Sequence, residues 1–323
     1  MRANPKSHLL CALLALAASV GAQAQALPSK PLRVILSDGA GGPMDRLTRA
    51  LGVRLSEKLR QPVIVENRPG AAGMIGMEAC SKAPNDGLTF CGFAVAQLSV
   101  TPNLQKVAVD PLRDIAPISP IARSAGVLYV NPKLPANDMK GLLALAKARP
   151  GALTYASFGN GTIPHLLLEW IKRETGTDLL HVPFRDAPSA MNAVIGGTVD
   201  VGYFALGSAM PQIKAQRIKP IAVIASNRAP GLPEVATLKE SGLNFFLETW
   251  FGLFAPKDTP TALREALAAE VVQVLGEPEF RSTQLDAQAM EAFTLPPAEF
   301  AAFLRTEKDK VSRFIQATGI SAD

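Results

Sequence analysis

The chain has 323 residues, of which 33 are lysine or arginine and 28 are aspartate or glutamate. This small positive excess is scattered along the chain, which excludes the strongly basic surface typical of nucleic-acid-binding proteins, so we expect no nucleic-acid partner. The length exceeds what one hydrophobic core normally holds, and two domains are therefore expected.

The amino terminus has the pattern of a secretory signal peptide. Two basic residues precede an uncharged apolar run, Leu9 to Val20, and a small-x-small segment that ends at Ala26 follows it. The run is shorter than the roughly 20 apolar residues of a membrane span, and its flanks are typical of export signals. We expect residues 1–24 to form a cleaved signal peptide, with cleavage before Gln25 or before Leu27 equally compatible, and the protein to reach the periplasm.

Beyond the signal, short β-rich runs alternate with longer helical patterns, which is typical of α/β proteins with largely parallel sheets. The predicted strands are Leu32–Leu36, Pro62–Val65, Leu88–Phe93, Val127–Val130, Leu153–Ala156, Leu180–Val182, Asp200–Tyr203 and Ile221–Ile224. Helical spacing of apolar residues predicts helices over Asp45–Leu59, Ala72–Lys82, Asn137–Ala148, His165–Thr175 and Ala187–Ile195, and a mostly helical segment over Pro260–Gly319.

Two cysteines, Cys80 and Cys91, lie beyond the signal and eleven residues apart. One falls near the end of a predicted helix and the other in the next strand, with the turn Pro84–Gly87 between them. A disulfide across this turn is plausible in an exported protein, and two buried thiols are the alternative. No C-x-x-C motif accompanies them, so a redox or metal role is not indicated.

Two predicted strands lead into helices through glycine-rich loops about 120 residues apart. We call Ser37–Met44 the first loop and Ser157–Thr162 the second loop. Glycines at such junctions leave backbone N–H groups uncovered, and the positive end of the following helix adds to them, so each loop is a candidate anion site. The alternative is that both loops are merely tight connections.

Neither loop is a nucleotide-binding motif. Met44 stands where G-x-G-x-x-G requires its last glycine, and no G-x-x-x-x-G-K-[ST] occurs in the chain. An enzyme hypothesis would pair Ser157 with His165 as nucleophile and base, but no G-x-S-x-G elbow frames the serine. The chain also lacks H-E-x-x-H, so we expect no metal and no cofactor.

These loops, with the segments between them, resemble the Bug-type solute receptors, which are the extracytoplasmic binding proteins of tripartite tricarboxylate transporters. The resemblance covers essentially the whole chain beyond the signal. Its landmarks, in order, are Pro31–Leu36, Ala40–Asp45, Val65–Gly76, Pro84–Thr89, Asp110–Pro117, Tyr155–Thr162, His181–Phe184 and Trp250–Pro256.

The resemblance implies an α/β periplasmic-binding-protein fold of type II, in which two α/β domains enclose a ligand cleft. The first domain would contain residues 27–123 and 248–323, and the second residues 124–247. The implied function is capture, without chemical change, of a small carboxylate-containing ligand and its delivery to membrane transporter subunits. A monomer is expected. A ligand sensor for a membrane signalling partner shares the same sequence features, and a secreted hydrolase is the enzyme alternative.

In this family the two loops usually hold one ligand carboxylate. Residues in loops after neighbouring strands make further contacts with the ligand. Carried over to this chain, the expected ligand-binding residues are Ser37, Asp38, Ala40, Gly41, Gly42, Met44, Gln97, Ser157, Gly159, Asn160, Gly161, Thr162, Phe204 and Ala205.

Three positions depart from the family pattern. Asp38 stands where many relatives have phenylalanine, Met74 replaces a common asparagine, and Phe204 with Ala205 replaces a polar pair. Asp38 would repel an anionic group or attract an amine, amide or hydroxyl; alternatively it caps the loop and faces solvent. Together the changes argue against a small, highly polar dicarboxylate as the ligand.

Overall fold

The structure, a computed structural model, describes residues 29–229, 231–245 and 248–319, so the predicted signal peptide lies outside the described residues. In chain order the strands are β1 Leu32–Leu36, β2 Val63–Asn67, β3 Thr89–Ala94, β4 Ile115–Ser124, β5 Gly126–Val130, β6 Thr154–Ser157, β7 Leu180–Pro183, β8 Val201–Ala205, β9 Lys219–Ile224, β10 Thr249–Pro256 and β11 Met290–Ala292.

The helices of the same residues are α1 Pro43–Leu59, α2 Met74–Ser81, α3 Thr101–Leu104, α4 Met139–Ala148, α5 Ile163–Thr175, α6 Ala187–Gly196, α7 Leu206–Lys214, α8 Thr261–Gly276, α9 Pro278–Phe280 and α10 Pro297–Thr318. Short irregular helical turns cover Ala71–Gly73, Ala96–Val100, Arg281–Leu285 and Asp286–Gln288. None of the described helices is long and apolar enough to cross a membrane.

The strands form two mixed sheets. The first has the order β11-β4-β10-β3-β1-β2, and the second has the order β7-β6-β8-β5-β9. In each sheet the strand that leads into a glycine-rich loop has parallel neighbours: β1 pairs with β2 and β3, and β6 pairs with β7 and β8. The carboxyl ends of these strands therefore meet at one edge of each sheet, where the loops begin.

The chain passes between the sheets twice, once between Ser124 and Gly126 and once between Ile224 and Thr249. At the first passage a side chain on Gly126 would collide with the ring of Tyr203, which therefore requires glycine there. The hydroxyl of Tyr203 in turn bonds the side chain of Thr249 at the second passage. The two passages are thus tied together by one tyrosine.

Each sheet is packed on both faces. In β1, Val34 and Leu36 pack with α1 and α8 on one face, whereas Ile35 packs with α2 and α10 on the other. The second sheet lies between α6 with α7 and α4 with α5. This alternation is the two-residue period of a strand buried on both sides.

The predicted disulfide is confirmed. Cys80 in α2 and Cys91 in β3 form a bridge with their Cα atoms 6.1 Å apart, and neither residue is exposed. The bridge attaches α2 to the strand next to β1, and so to the base of the first loop.

Candidate functional site

The two loops have the same backbone hydrogen-bond pattern at a constant offset of 120 residues. In the first loop the N–H of Gly42 donates to the carbonyl of Gly39, and in the second the N–H of Thr162 donates to the carbonyl of Gly159. Both bonds are 3.4 Å long. The second loop is therefore the structural equivalent of the first.

The equivalence extends to the residue that holds each loop against its helix. The N–H of Gly41 donates to Oδ2 of Asp45 at 2.8 Å, and the N–H of Gly161 donates to Nδ1 of His165 at 3.0 Å. The two glycines have φ of +80° and +72°, a conformation that favours glycine over residues with a side chain. A side chain of α1 and one of α5 thus fix the two loops in matching conformations.

A free N–H stands at the same position of both loops. Ala40 and Asn160 occupy equivalent positions and are exposed. Among the described residues no protein acceptor takes either N–H. Each precedes the amino-terminal end of a long helix, α1 or α5, whose partial positive charge favours an anion. Together these features make the loops a pair of donors suited to an anionic group.

The second loop approaches the first domain closely. A side chain on Gly161 would lie 2.8 Å from Cδ1 of Leu104, the last residue of α3. At a second place, a side chain on Gly207 of α7 would collide with the backbone of Gln288. The two domains therefore touch at two places.

Asp38 and Gln97 come together at the base of the first loop. Gln97 is buried in the irregular turn after β3, and its Nε2 donates to Oδ1 of Asp38 at 3.3 Å. Burial raises the pKa of the Asp38 carboxyl, and the hydrogen bond from Gln97 opposes that rise. Asp38 is only partly exposed, so it does not simply face solvent.

The remaining predicted residues occupy different environments. Met44 is buried beneath Gly92, so its side chain belongs to the core and only its backbone faces the loop. Phe204 packs partly buried on the α6 and α7 side of its sheet, and Ala205 pairs with Gly126 where the chain first passes between the sheets.

The loop hydroxyl groups differ in what they bond. Thr162 uses its hydroxyl hydrogen within its own loop, donating to the carbonyl of Gly159 at 2.6 Å. Ser37 is 3% exposed, and its Oγ has no hydrogen-bond partner among the described residues. Its equivalent, Ser157, bonds within the second domain. The Ser37 hydroxyl is thus without a partner among the described residues, but it is buried and not exposed to an incoming group.

The pairing of Ser157 with His165 that the enzyme hypothesis required does not form. Oγ of Ser157 lies 2.6 Å from Nε2 of His181, because the parallel pairing of β6 with β7 places these two side chains on neighbouring strands. His165 instead stacks on His181, with ring centroids 4.4 Å apart, and accepts the N–H of Gly161. Ser157 is fully buried, so it is not accessible as a nucleophile.

Both imidazoles are neutral at pH 7. Burial, together with the neighbouring His165 ring, lowers the pKa of His181 to about 4, and burial also lowers the pKa of His165. A neutral His165 with an unprotonated Nδ1 is the form that can accept the loop N–H. The stacked pair therefore supports the second loop at neutral pH.

We expect the unfolding free energy to fall as the pH drops from about 6.5 toward 4. In this window the unfolded chain binds a proton at His181 while the folded protein does not, and stability then decreases with decreasing pH. The contribution is about 1–2 kcal/mol, because solvent reaches part of the ring. The unfolding free energy, measured in urea at pH 7.5 and at pH 5, should differ less between the two pH values in His181→Gln than in the natural chain. Equal differences would contradict this assignment.

Two residues, one beneath each loop, support the loops and could not be found from the sequence. Asn67 ends β2 opposite Leu36, and its Nδ2 donates to the carbonyl of Asp38 at 3.1 Å and to Oδ1 of Asp45 at 2.9 Å. His181 supports the second loop in a similar way.

Within the described residues no group of three or more histidine, cysteine or acidic side chains could hold a metal ion.

Two α/β domains joined by two passages, with a matching anion-type loop at the carboxyl edge of each sheet, define a solute-binding protein of the type II architecture. Residues 47–320 match the sequence model of the tripartite tricarboxylate transporter family receptors, and the chain belongs to this family.

The protein is similar to BugT of Bordetella pertussis, with 29% identity over 92% of this chain and 91% of that protein. A solved periplasmic transporter shares 34% identity at a TM-score of 0.83, covering 92% of this chain and 99% of the other. The structure of Rpa4515 of R. palustris with adipate has 27% identity and a TM-score of 0.84, with coverage of 91% and 99%.

The predicted Bug-type resemblance and the predicted fold class are therefore confirmed. The protein is a solute-binding receptor and not an enzyme, and the hydrolase alternative is excluded.

Proposed function

We propose that this receptor captures a small ligand by holding one carboxylate between the first and second loops. The observation that carries the proposal is the pair of free N–H groups at Ala40 and Asn160, which stand at equivalent positions before two helix ends. Backbone donors backed by helix dipoles stabilise an anion. Ser37 lies buried at the start of the first loop, so the proposal does not depend on its hydroxyl.

Gly41, Gly42, Gly159, Gly161 and Thr162 shape these two loops, and their internal hydrogen bonds support that role. Ser157 supports the second loop through its hydrogen bonds with His181 and Gly159. Gln97, Asp38, Phe204 and Ala205 border the rest of the site. The adipate bound by the R. palustris relative supports a carboxylate as the anchored group.

The same proposal includes the compartment in which the protein works and the partner to which it delivers its ligand. The solved periplasmic relative and the family support a periplasmic receptor, exported with a cleaved signal peptide, that delivers its ligand as a monomer to the membrane subunits of a tripartite transporter. We propose domain limits of 27–123 with 248–323, and 124–247. The two passages of the chain between the sheets support these limits.

A melting-temperature screen tests the proposal. Aliphatic and aromatic carboxylates and amino acids are each compared with their primary amides, which have the same shape without the anionic charge. A ligand at 100 times its dissociation constant stabilises the folded state by about 2.7 kcal/mol, a rise of about 5 °C. We expect such a rise for at least one carboxylate and none for its amide. If amides and carboxylates raise the melting temperature equally, the loops do not hold a carboxylate.

A further inference from the structure

Asp38 is an unexpected residue in an anion-binding loop. It lies two residues before Ala40, whose free N–H faces the expected ligand carboxylate. Two negative charges so close together repel each other, most strongly where water is excluded. A receptor for simple carboxylates would therefore be weakened by this residue, unless the ligand itself supplies a compensating group.

Neighbouring groups hold the Asp38 carboxylate in place. Oε1 of Gln97 accepts the N–H of Ala94 at 3.0 Å, which leaves its Nε2 to donate to Asp38. Gly73 packs against Gln97 so closely that a side chain there would collide with it. Asn67 bonds the carbonyl of Asp38 from the other side. One neutral donor thus positions the carboxylate, and a second fixes the backbone that carries it.

No positive charge of the described residues pairs with Asp38. The arginines nearest in sequence bond other groups. Arg33 donates to Glu66, Arg46 donates to the carbonyl of Gly41 and to Gln288, and Arg49 donates to Asp45 and Asn67. Burial raises the pKa of Asp38, which shows that its charge is poorly compensated in the protein. A partly buried carboxylate in this state attracts a cation.

We propose that Asp38 binds a cationic nitrogen of the ligand, so that the receptor prefers zwitterionic amino carboxylates to simple carboxylates. Because Asp38 and Ala40 are only two residues apart, the ammonium and carboxylate of the ligand must also be close, as in an α-amino acid. This inference rests on the proposed function, since the loops still hold the carboxylate. It names the second charged group that the ligand must carry.

Matched ligand pairs test the inference by isothermal titration. Phenylalanine is compared with 3-phenylpropanoate, norleucine with hexanoate, and aspartate with succinate, so that each pair differs by the amino group. We expect the amino member of at least one pair to bind at least about 10-fold more tightly, as for a charge-assisted hydrogen bond. Asp38→Asn should weaken that member about 10- to 100-fold, and should leave its deaminated partner unchanged or bound more tightly.

Two variants keep the test decisive. Asp38→Ser removes the carboxylate with a smaller side chain and should reproduce the selective loss. Asp309→Asn removes one exposed negative charge on α10 and should change neither ligand class. Retained binding of the simple carboxylate shows that a variant is folded.

The outcomes separate the two proposals. If simple carboxylates bind the natural protein as tightly as amino acids, or if Asp38→Asn weakens both classes equally, the role of Asp38 is wrong and the loop site stands. If dicarboxylates bind most tightly and Asp38→Asn leaves their affinity unchanged, Asp38 does not select a cation. If no member of any pair binds, the carboxylate site itself is wrong and the inference falls with it.

Discussion

Replacing Gly161 with valine is expected to weaken ligand binding by about 100-fold. The backbone at Gly161 has φ of +72°, which a β-branched residue adopts only at a cost of about 1–3 kcal/mol. The new side chain would also meet Cδ1 of Leu104 in the other domain. The second loop must therefore move, and the free N–H of Asn160 moves with it. Each 1.4 kcal/mol lost in the bound conformation is a tenfold loss of affinity.

The matched control lies at the other end of the same helix. Gly176 ends α5 with φ of +62°, and a side chain there would meet nothing within 4 Å. Gly176→Val should lower the unfolding free energy by a similar strain of about 1–3 kcal/mol but leave affinity for the best ligand of the screen unchanged. Equal affinity of Gly161→Val and the natural protein would remove the second loop from the site. Equal losses in both variants would show a general effect on folding.

Removing the disulfide should lower the unfolding free energy by about 3 kcal/mol, the value expected from the chain entropy of a loop of this length. The bridge joins residues eleven positions apart, and both sulfur-bearing side chains are fully buried. We expect a double Cys80→Ala, Cys91→Ala variant to unfold at lower urea concentration than the natural protein. Its two alanines fill less space, so part of the loss is a packing defect.

Reduction of the natural protein separates the two contributions. A reducing agent breaks the bridge and keeps the sulfur atoms. The difference in unfolding free energy between the reduced natural protein and the double variant therefore measures packing alone. Because the bridge joins α2 to β3 and contains no residue of either loop, ligand affinity at low urea, where the reduced protein is still folded, should stay within about twofold. If the reduced protein is as stable as the oxidised one, the bridge does not stabilise the fold.

The part of the site that could be predicted from the sequence is the part made by contiguous residues. Glycine at Gly41 and Gly161 is needed for local backbone geometry, and the residues after each loop have helical periodicity, so both loops were found without knowing what lies around them. The disulfide was also predictable, since Cys80 and Cys91 are separated by one helix end, one turn and one strand.

Three strands, β4, β10 and β11, were not predicted, and β11 lies within the segment predicted to be mostly helical. β4 was missed for a local reason. β4 contains Pro117 and Pro120, and proline cannot donate in the middle of a ladder, so the segment does not read as a central strand. In the structure the register of β4 with β10 shifts at both places: Pro120 lies opposite Gly252 at one shift and Pro117 lies opposite Phe254 at the other. Irregular pairing is what allows these prolines inside the sheet.

The residues that support the loops could not be predicted from local sequence patterns, for a different reason. Ser157 meets His181 rather than His165 because β6 and β7 lie side by side, and Asn67 reaches the first loop because β2 pairs with β1. Loop chemistry, helix starts and the disulfide follow from residues near one another in the chain, whose geometry is set by local sterics. Which strands become neighbours depends on packing both faces of two sheets at once, and that arrangement alone brings distant side chains beneath each loop.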